Sequence, residues 1–285
     1  MNVKIRVMKQ EDIETCGRIC YEGFKSIAER HDFPPDFPSA EAAAGLLSLL
    51  FSRDDIYSVV AEVDGRVVGS NFLWESAIIA GVGPITVDPK VQNGTIGRQL
   101  MSEVMRRAEE RRFSGVRLVQ AAYHNRSLSL YTKLGFDTRE PLSVLQGAAL
   151  GIEVPGHFVR PASEKDLDAC NKLCLKVHGH DRGQDLLFAI RQGTATVVEQ
   201  GGRITGYATE VGFLGYAVAE NNEGLKALVG AAQSFTGPGF LLPTRNSELL
   251  RWCLEKGLRV VMPMTLMSVG LYNEPRGVFL PSVLY

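Results

Sequence analysis

Along this chain the spacing of apolar positions switches repeatedly between a period of two and a period of about 3.6. Val3 to Val7 reads as a first strand. From Glu11 to about Arg30, Ile13, Cys16, Ile19, Cys20 and Phe24 fall on one helical face. His31 to Pro38 is a proline-rich loop. Ser39, with Glu41 close behind it, then opens a second helix carrying Leu46, Leu47, Leu49, Leu50 and Phe51. Ser58 to Val63 and Arg66 to Trp74 predict a hairpin across Asp64-Gly65. Ile78 to Val87 is the next strand. Beyond a turn, Ile96, Leu100, Val104 and Met105 recur at helical spacing, and that helix runs to about Arg112. A strand at Val116 to Ala122 follows. Asn125 as N-cap and Gly135 as C′ residue bracket a short helix. Strands and helices in this order predict an α/β (α+β) fold on a mixed sheet.

The second half repeats the first faintly. Arg6 and Asp12-Ile-Glu-Thr-Cys16…Cys20 are echoed by Arg160 and Asp166-Leu-Asp-Ala-Cys170…Cys174, 154 positions later. Gly65-Arg66-Val67-Val68-Gly69 is echoed by Gly202-Arg203-Ile204-Thr205-Gly206, 137 positions later. The first half therefore carries 17 extra residues ahead of its hairpin, which the His31–Pro38 loop and the helix after it would supply. Asn125…Gly135-Phe136 finds a third echo in Asn246…Gly257-Leu258. Internal duplication thus sets the expected architecture: one unit over 1–145, a linker at 146–156, and a second over 157–285. The apolar tail, Met262 to Tyr285, would complete the second sheet.

A length of 285 residues suits two domains. An apolar fraction of 45% and a charged fraction of 22% are those of a globular chain. The net charge of −1, without an acidic or basic tail, disfavours nucleic acid and anionic membrane as partners. The Arg106–Arg112 run reads as a solvated helix face. No apolar run reaches the roughly 20 residues of a membrane helix. The first residues enter a strand without a signal-peptide core. Five cysteines, an odd number, read as reduced thiols and a cytoplasmic location. Cys16/Cys20 and Cys170/Cys174 lie four apart on apolar faces and read as small core residues, as does Cys253. His178-Gly179-His180 with Asp181 lacks a further ligand at a metal-site spacing, so no metal is expected.

The candidate chemistry gathers where Ile85-Thr86-Val87 ends a strand, Asp88 to Thr95 turns, and a helix begins at Ile96. A strand that turns through a glycine-containing loop into a helix presents free N–H groups and a helix dipole, and a pyrophosphate fits there. This stretch resembles the cofactor loop of the GNAT acetyltransferases: Val87, Pro89, Gln92 and Gly97 match its pattern. Thr95 stands where the family has its first glycine, and Gly94 lies one place earlier. Thr disfavours positive φ, and its hydroxyl offers a phosphate donor instead. The stretch from Asn125 to Phe136 resembles the second GNAT signature, with Asn125, Tyr131, Gly135 and Phe136 in type and spacing. The resemblance covers about residues 1–145 and implies two tandem GNAT-like domains, the second degenerate. The second half offers Glu220 and Glu223 where the loop should stand, and Cys253 at the place of Tyr131.

The resemblance implies an acetyl-CoA-dependent N-acetyltransferase in which an amine attacks the thioester directly. The diphosphate would rest on the N–H groups of Gln92, Asn93, Gly94, Thr95, Ile96, Gly97 and Arg98, with Ile85, Thr86 and Val87 along the thioester arm. A main-chain N–H near Val87 would take the developing oxyanion. Tyr131 would protonate the thiolate, and Asn125 would contact pantetheine or a water. An amine of pKa about 10.4 is free in only about one molecule in 10³ at pH 7, so a base helps. Glu75 and His124 are the candidates, with a water relay as the alternative. Glu22, His31 and Asp32 are candidates for the acceptor pocket. The expected acceptor is a small amine or amino acid, and a homodimer is left open. Two other readings remain: an acyl-CoA sensor or scaffold without turnover, and a modifier of protein N-termini or lysines.

Overall fold

The structure is a computed structural model that describes residues 2–92 and 94–284. In the first half β1 (Val3–Val7) leads into α1 (Ile13–Arg30) and α2 (Ala40–Phe51). Ser39 caps α2 by accepting from the Ala42 N–H at 3.2 Å, as its sequence signature predicts. The hairpin of β2 (Ile56–Val63) and β3 (Arg66–Trp74) turns at Asp64 and Gly65, both at positive φ, which matches the twist of the paired strands. Then come β4 (Ile79–Val82), β5 (Thr86–Val87), α3 (Ile96–Glu110), β6 (Gly115–Ala121), α4 (Asn125–Lys133) and β7 (Asp137–Gln146). The strand expected over Ile78 to Val87 is two strands. Gly83, at φ +136°, and Pro84 interrupt it, because that backbone favours glycine and proline has no N–H for a ladder.

The second half runs through β8 (Phe158–Pro161), α5 (Leu167–His178), α6 (Gly183–Gln192), β9 (Thr196–Gln200), β10 (Arg203–Ala208), β11 (Ala217–Ala219) and α7 (Asn222–Ala231). It ends with β12 (Phe240–Pro243), α8 (Ser247–Glu255), β13 (Arg259–Gly270) and β14 (Val278–Leu280). The 17 extra residues of the first half are not one added helix, since α6 stands where α2 stands. They are spread over a longer α1 (18 residues against 12), a longer α2 (12 against 10), the longer connection between the two helices, and a longer β2 (8 against 5) with the turn before it.

One sheet has the order β1-β2-β3-β4-β6-β13-β7-β12, with β5 paired to β3; the other is β14-β11-β10-β9-β8. The tail therefore departs from its expected place. Val278–Leu280 does complete the second sheet against β11, but β13 inserts into the first, antiparallel to both β6 and β7. The halves interleave: β6 and β7 of the first alternate with β13 and β12 of the second. On one face of the first sheet α3 packs Leu100, Met101 and Val104 against Val59, Leu73 and Leu118. On the other, α1 and α2 pack Cys16, Cys20, Leu47 and Leu50 against Val60 and Phe72. All five thiols are free and buried.

The duplication reaches individual side chains. Arg6 holds Asp12 through two guanidinium nitrogens at 2.7 and 2.9 Å and Glu62 at 2.8 Å. Arg160 holds Asp166 at 2.8 and 2.9 Å and Glu199 at 2.9 Å. In each copy the aspartate also accepts a backbone N–H three residues before it, from Lys9 or Ser163. This clasp pins the start of the first long helix to the sheet in both halves.

Candidate active site

Strands β4 and β6 run parallel but pair only over Ile79–Gly81 and Gly115–Arg117. Beyond that register they part, because Gly83 and Pro84 redirect the chain so that β5 pairs with β3 alone. A cavity of about 750 Å³ opens in the gap. Val82 to Val87 form one wall and Leu118 to Ala121 the other. Gln92, Gly94 to Arg98 and the start of α4 also line it, as do α1, the 31–39 loop, and Phe213, Leu214 and Leu284 from the second half. The volume is that of a small-molecule site.

The loop end is built to receive an anion. Asp88 accepts from Lys90 N–H at 2.9 Å and forms a tight turn. Gln92 ties the turn back by donating to the Val87 carbonyl at 3.0 Å, and its amide oxygen accepts from Arg126 at 3.2 Å. The first amides of α3 have no intrahelical acceptor by the geometry of a helix. No side chain caps them: Thr95 instead accepts from Gln99 Nε2 at 2.8 Å. The Thr95 substitution costs nothing in backbone geometry, since its φ is −91° and no left-handed residue is required there. A Cβ on Gly97 would meet only Leu130 at 3.6 Å and Val87 at 3.9 Å, so the space over this residue is open to a ligand. Arg98 and Arg126 add positive charge. Asn93 lies outside the described residues.

In α7, which holds the matching place in the second half, Asn221 caps the helix by accepting from Gly224 N–H at 3.0 Å. Glu220, paired with Lys176 and Arg203, stands beside it. That helix start is already satisfied and faces a carboxylate. Cys253 is buried in the second core.

Tyr131 projects from α4 into the cavity wall with its ring in the first core, tilted against Phe136. Burial pushes its phenol up to about 12, against a hydrogen bond with Ser127 that pulls it down, so it carries its proton at pH 7. Ser127 Oγ also lies 2.7 Å from His124 Nδ1. Tyr131, Ser127 and His124 therefore lie together along the cavity, with Ser127 bonded to His124. Burial, helped by Arg126, His31 and Arg30, lowers His124 to about 4, so its imidazole is neutral at pH 7 and holds a proton poorly.

Glu75 is elsewhere. It accepts from Arg107 Nε at 2.7 Å and Nη2 at 3.0 Å, pairs with Arg111, and does not line the cavity. A carboxylate so held serves the fold rather than an incoming amine. Asn125 is the first residue of α4 rather than its cap, is exposed, and is not part of the cavity wall. Its echo Asn246 does cap its helix, accepting from Leu249 N–H at 3.3 Å. Of the other sequence candidates, Ile85, Thr86 and Val87 line the cavity, whereas Glu22, His31 and Asp32 do not. His178 and His180 stack on each other at 5.9 Å and are packed away in the second half; burial lowers them to about 3 and about 4.

Four residues join the site that the sequence reading passed over: Ser127, Arg126, Gln120 and Asp36. Gln120 has a signal in the sequence. It is the polar residue on the inward face Val116, Leu118, Gln120 of an apolar strand. Both its amide atoms are buried without a partner, which costs about 1–3 kcal/mol unless a ligand meets them. An orphaned amide, an open cradle at Gly97 and two cations together fit a phosphorylated ligand with an amide-bearing arm, as coenzyme A has.

Residues 24–136 match the Acetyltransferase (GNAT) family profile. Over those residues the first half is similar to a GNAT acetyltransferase domain. The fold likeness extends over the whole chain. A Pyrococcus horikoshii protein proposed to be an acetyltransferase aligns over 99% of this chain and 94% of its own, at 17% identity and a TM-score of 0.76. A GCN5-related N-acetyltransferase from Sphaerobacter thermophilus aligns over 95% and 96%, at 14% identity and a TM-score of 0.63. No curated protein matches the sequence. The two sheets and the repeated Arg–Asp–Glu clasp fit a tandem arrangement of GNAT folds. Among the described residues no helix is long and apolar enough to cross a membrane.

Proposed function

We propose that this chain transfers the acetyl group of acetyl-CoA to the amine of a small molecule by direct attack on the thioester. One observation carries the reading: a single cavity joins the uncapped start of α3 to Tyr131 and then to an apolar chamber between the halves. In this reading residues 1–145 hold the donor, 146–156 link, and 157–285 wall the acceptor chamber. The diphosphate lies over Gln92 and Gly94–Arg98, and the pantetheine arm runs between Val82–Val87 and Leu118–Ala121, where Gln120 supplies an amide. The amine nitrogen bonds to the carbonyl carbon as the carbon–sulfur bond breaks. Tyr131 gives its proton to the departing thiolate. The proton lost by the amine returns through His124 and Ser127, which accept it in turn and restore Tyr131. His124, neutral and weakly basic, suits passing a proton on better than keeping it. A chamber walled by the second half favours a small acceptor over a polypeptide.

Calorimetric titration with acetyl-CoA, followed by thiol release in the presence of amines, tests this. One site per chain and turnover are expected. Tyr131→Phe should lower kcat by about 10²-fold or more with the acetyl-CoA Kd unchanged, the usual scale for losing a general acid. Binding without any amine-dependent thiol release would favour a sensor instead.

A further inference from the structure

The cavity is electrically lopsided. Among the described residues, its only Lys or Arg side chains are Arg98 and Arg126, both at the end beside α3 and α4. From other elements it carries two carboxylates: Asp36 from the 31–39 loop and Glu210 from the second half. Around them the lining is apolar and aromatic, with Phe24, Phe37, Leu46, Tyr123, Phe213 and Leu214. Tyr123 is held flat by stacking on Phe33 at 4.2 Å.

Asp36 is the informative group. Several other buried or half-buried carboxylates are paired: Asp12 with Arg6, Glu75 with Arg107, Glu140 with Arg245, Asp166 with Arg160. Among the described residues no hydrogen bond or ion pair reaches Asp36. It is open to the cavity yet screened from bulk water, and burial holds its carboxyl up to about 6. A carboxylate in an apolar recess without a partner ionises at a cost that an arriving cation offsets. Burial alone acts on this carboxyl, with no charged group beside it.

We infer that Asp36 is the acceptor's anchor, and that the acceptor is a primary ammonium on an apolar or aromatic body without a carboxylate of its own. The ammonium pairs with Asp36, the body lies against Phe24, Phe37 and Phe213, and Glu210 reinforces the negative end. A free amino acid is disfavoured, because its carboxylate would face Asp36 and Glu210. The ammonium gives its first proton to water, and the neutral nitrogen then turns from Asp36 toward the thioester. The sequence reading allowed an amino acid as acceptor; the charge lining narrows it. This inference rests on the transferase reading above.

The test uses the full chain with acetyl-CoA and two probes that share one body: 2-phenylethylamine and phenylalanine. The expected result is a kcat/KM for 2-phenylethylamine at least tenfold above that for phenylalanine. Asp36→Asn should raise the KM for 2-phenylethylamine at least tenfold, with the acetyl-CoA Kd within twofold of wild type. The variant is isosteric and removes an unpaired charge, so it should fold. Calorimetry separates the two readings. If no amine is turned over but 2-phenylethylamine binds the CoA-loaded protein and Asp36→Asn weakens it tenfold, the transferase reading fails and the cation site stands. Phenylalanine equal to or better than 2-phenylethylamine, an Asp36→Asn variant indistinguishable from wild type, or no binding of 2-phenylethylamine at all would overturn the inference.

Discussion

At the scale of single residues, Gln120 and Gly97 mark where folding and ligand binding pull against each other. Gln120 buries two amide atoms without partners. Leu in its place removes that penalty and keeps the volume, so Gln120→Leu should stabilise the ligand-free protein by about 1–3 kcal/mol while weakening acetyl-CoA. Thermal melts with and without acetyl-CoA check both halves; a destabilised free variant would mean that the amide is satisfied after all. Gly97 has the opposite profile. Its added Cβ meets only ordinary contacts, so Gly97→Val should leave the melting temperature nearly unchanged. Two further methyl groups stand over the amides of α3, and acetyl-CoA affinity should fall at least tenfold by calorimetry. Equal affinity would place the diphosphate elsewhere. The same two residues show what a sequence reveals of a site. Gly97 was legible because it sits in a spaced motif whose chemistry needs backbone amides. Gln120 was half-legible, as a polar break in an apolar alternation. Asp36 was not, since nothing in a proline-rich loop tells one aspartate from Asp32, which lies outside the cavity wall.

Among elements, helix starts decide the division of labour between the halves. The start of α3 has no side-chain cap, whereas α7 satisfies itself through Asn221 and carries Glu220. Glu220 and Glu223 in the sequence already disfavoured a diphosphate there. The clasp at the other end of each half is a second element-level device. Arg160 holds the Asp166 carboxyl below the ordinary carboxylate range, with the Ser163 N–H and hydroxyl assisting. A depressed folded-state value means that the contribution is present above the unfolded value near 4. It is lost as pH falls from there toward the folded value. Asp166→Asn keeps the shape but forfeits the charge-assisted bonds. It should cost about 1–3 kcal/mol at pH 7, lowered by the exposure of Arg160, and much less at pH 3. Urea melts at the two pH values check this. The three imidazoles held neutral, His124, His178 and His180, act earlier in the same direction. Their folded values lie below the unfolded one near 6.5, so they destabilise the fold progressively as pH drops below about 6.5. Asp36, raised to about 6, opposes them with a single group. Stability should therefore decline on acidification well before the clasps are titrated.

For the whole molecule, the order β6-β13-β7-β12 means that neither half is a complete body. Local periodicity found the strands and helices of the first half as far as α4, and the repeat was visible from Arg6/Arg160 and from the two hairpins. The exchange of strands was not visible, because β13 and β7 have the same apolar alternation and fit either sheet. Their partners are set by tertiary packing, which spacing does not encode. The consequence is testable by truncation. A chain ending at Gln146 keeps every residue of the donor cradle and Tyr131. It loses β13 from between β6 and β7, and β12 from the far side of β7. Leu142, Val144 and Leu145, all buried in the full chain, would lie on a strand with no neighbour. Unpaired apolar strands seek partners. Two copies of the fragment can supply one: β7 of each copy can enter the gap between β6 and β7 of the other, as β13 does within the native chain. The fragment is therefore expected to be dimeric or aggregated, and co-expression with residues 157–285 should restore a soluble complex that binds acetyl-CoA. Sedimentation equilibrium with calorimetry decides the matter. A monomeric fragment with native helix content and full acetyl-CoA affinity would show that β13 is an ornament on a self-sufficient first domain.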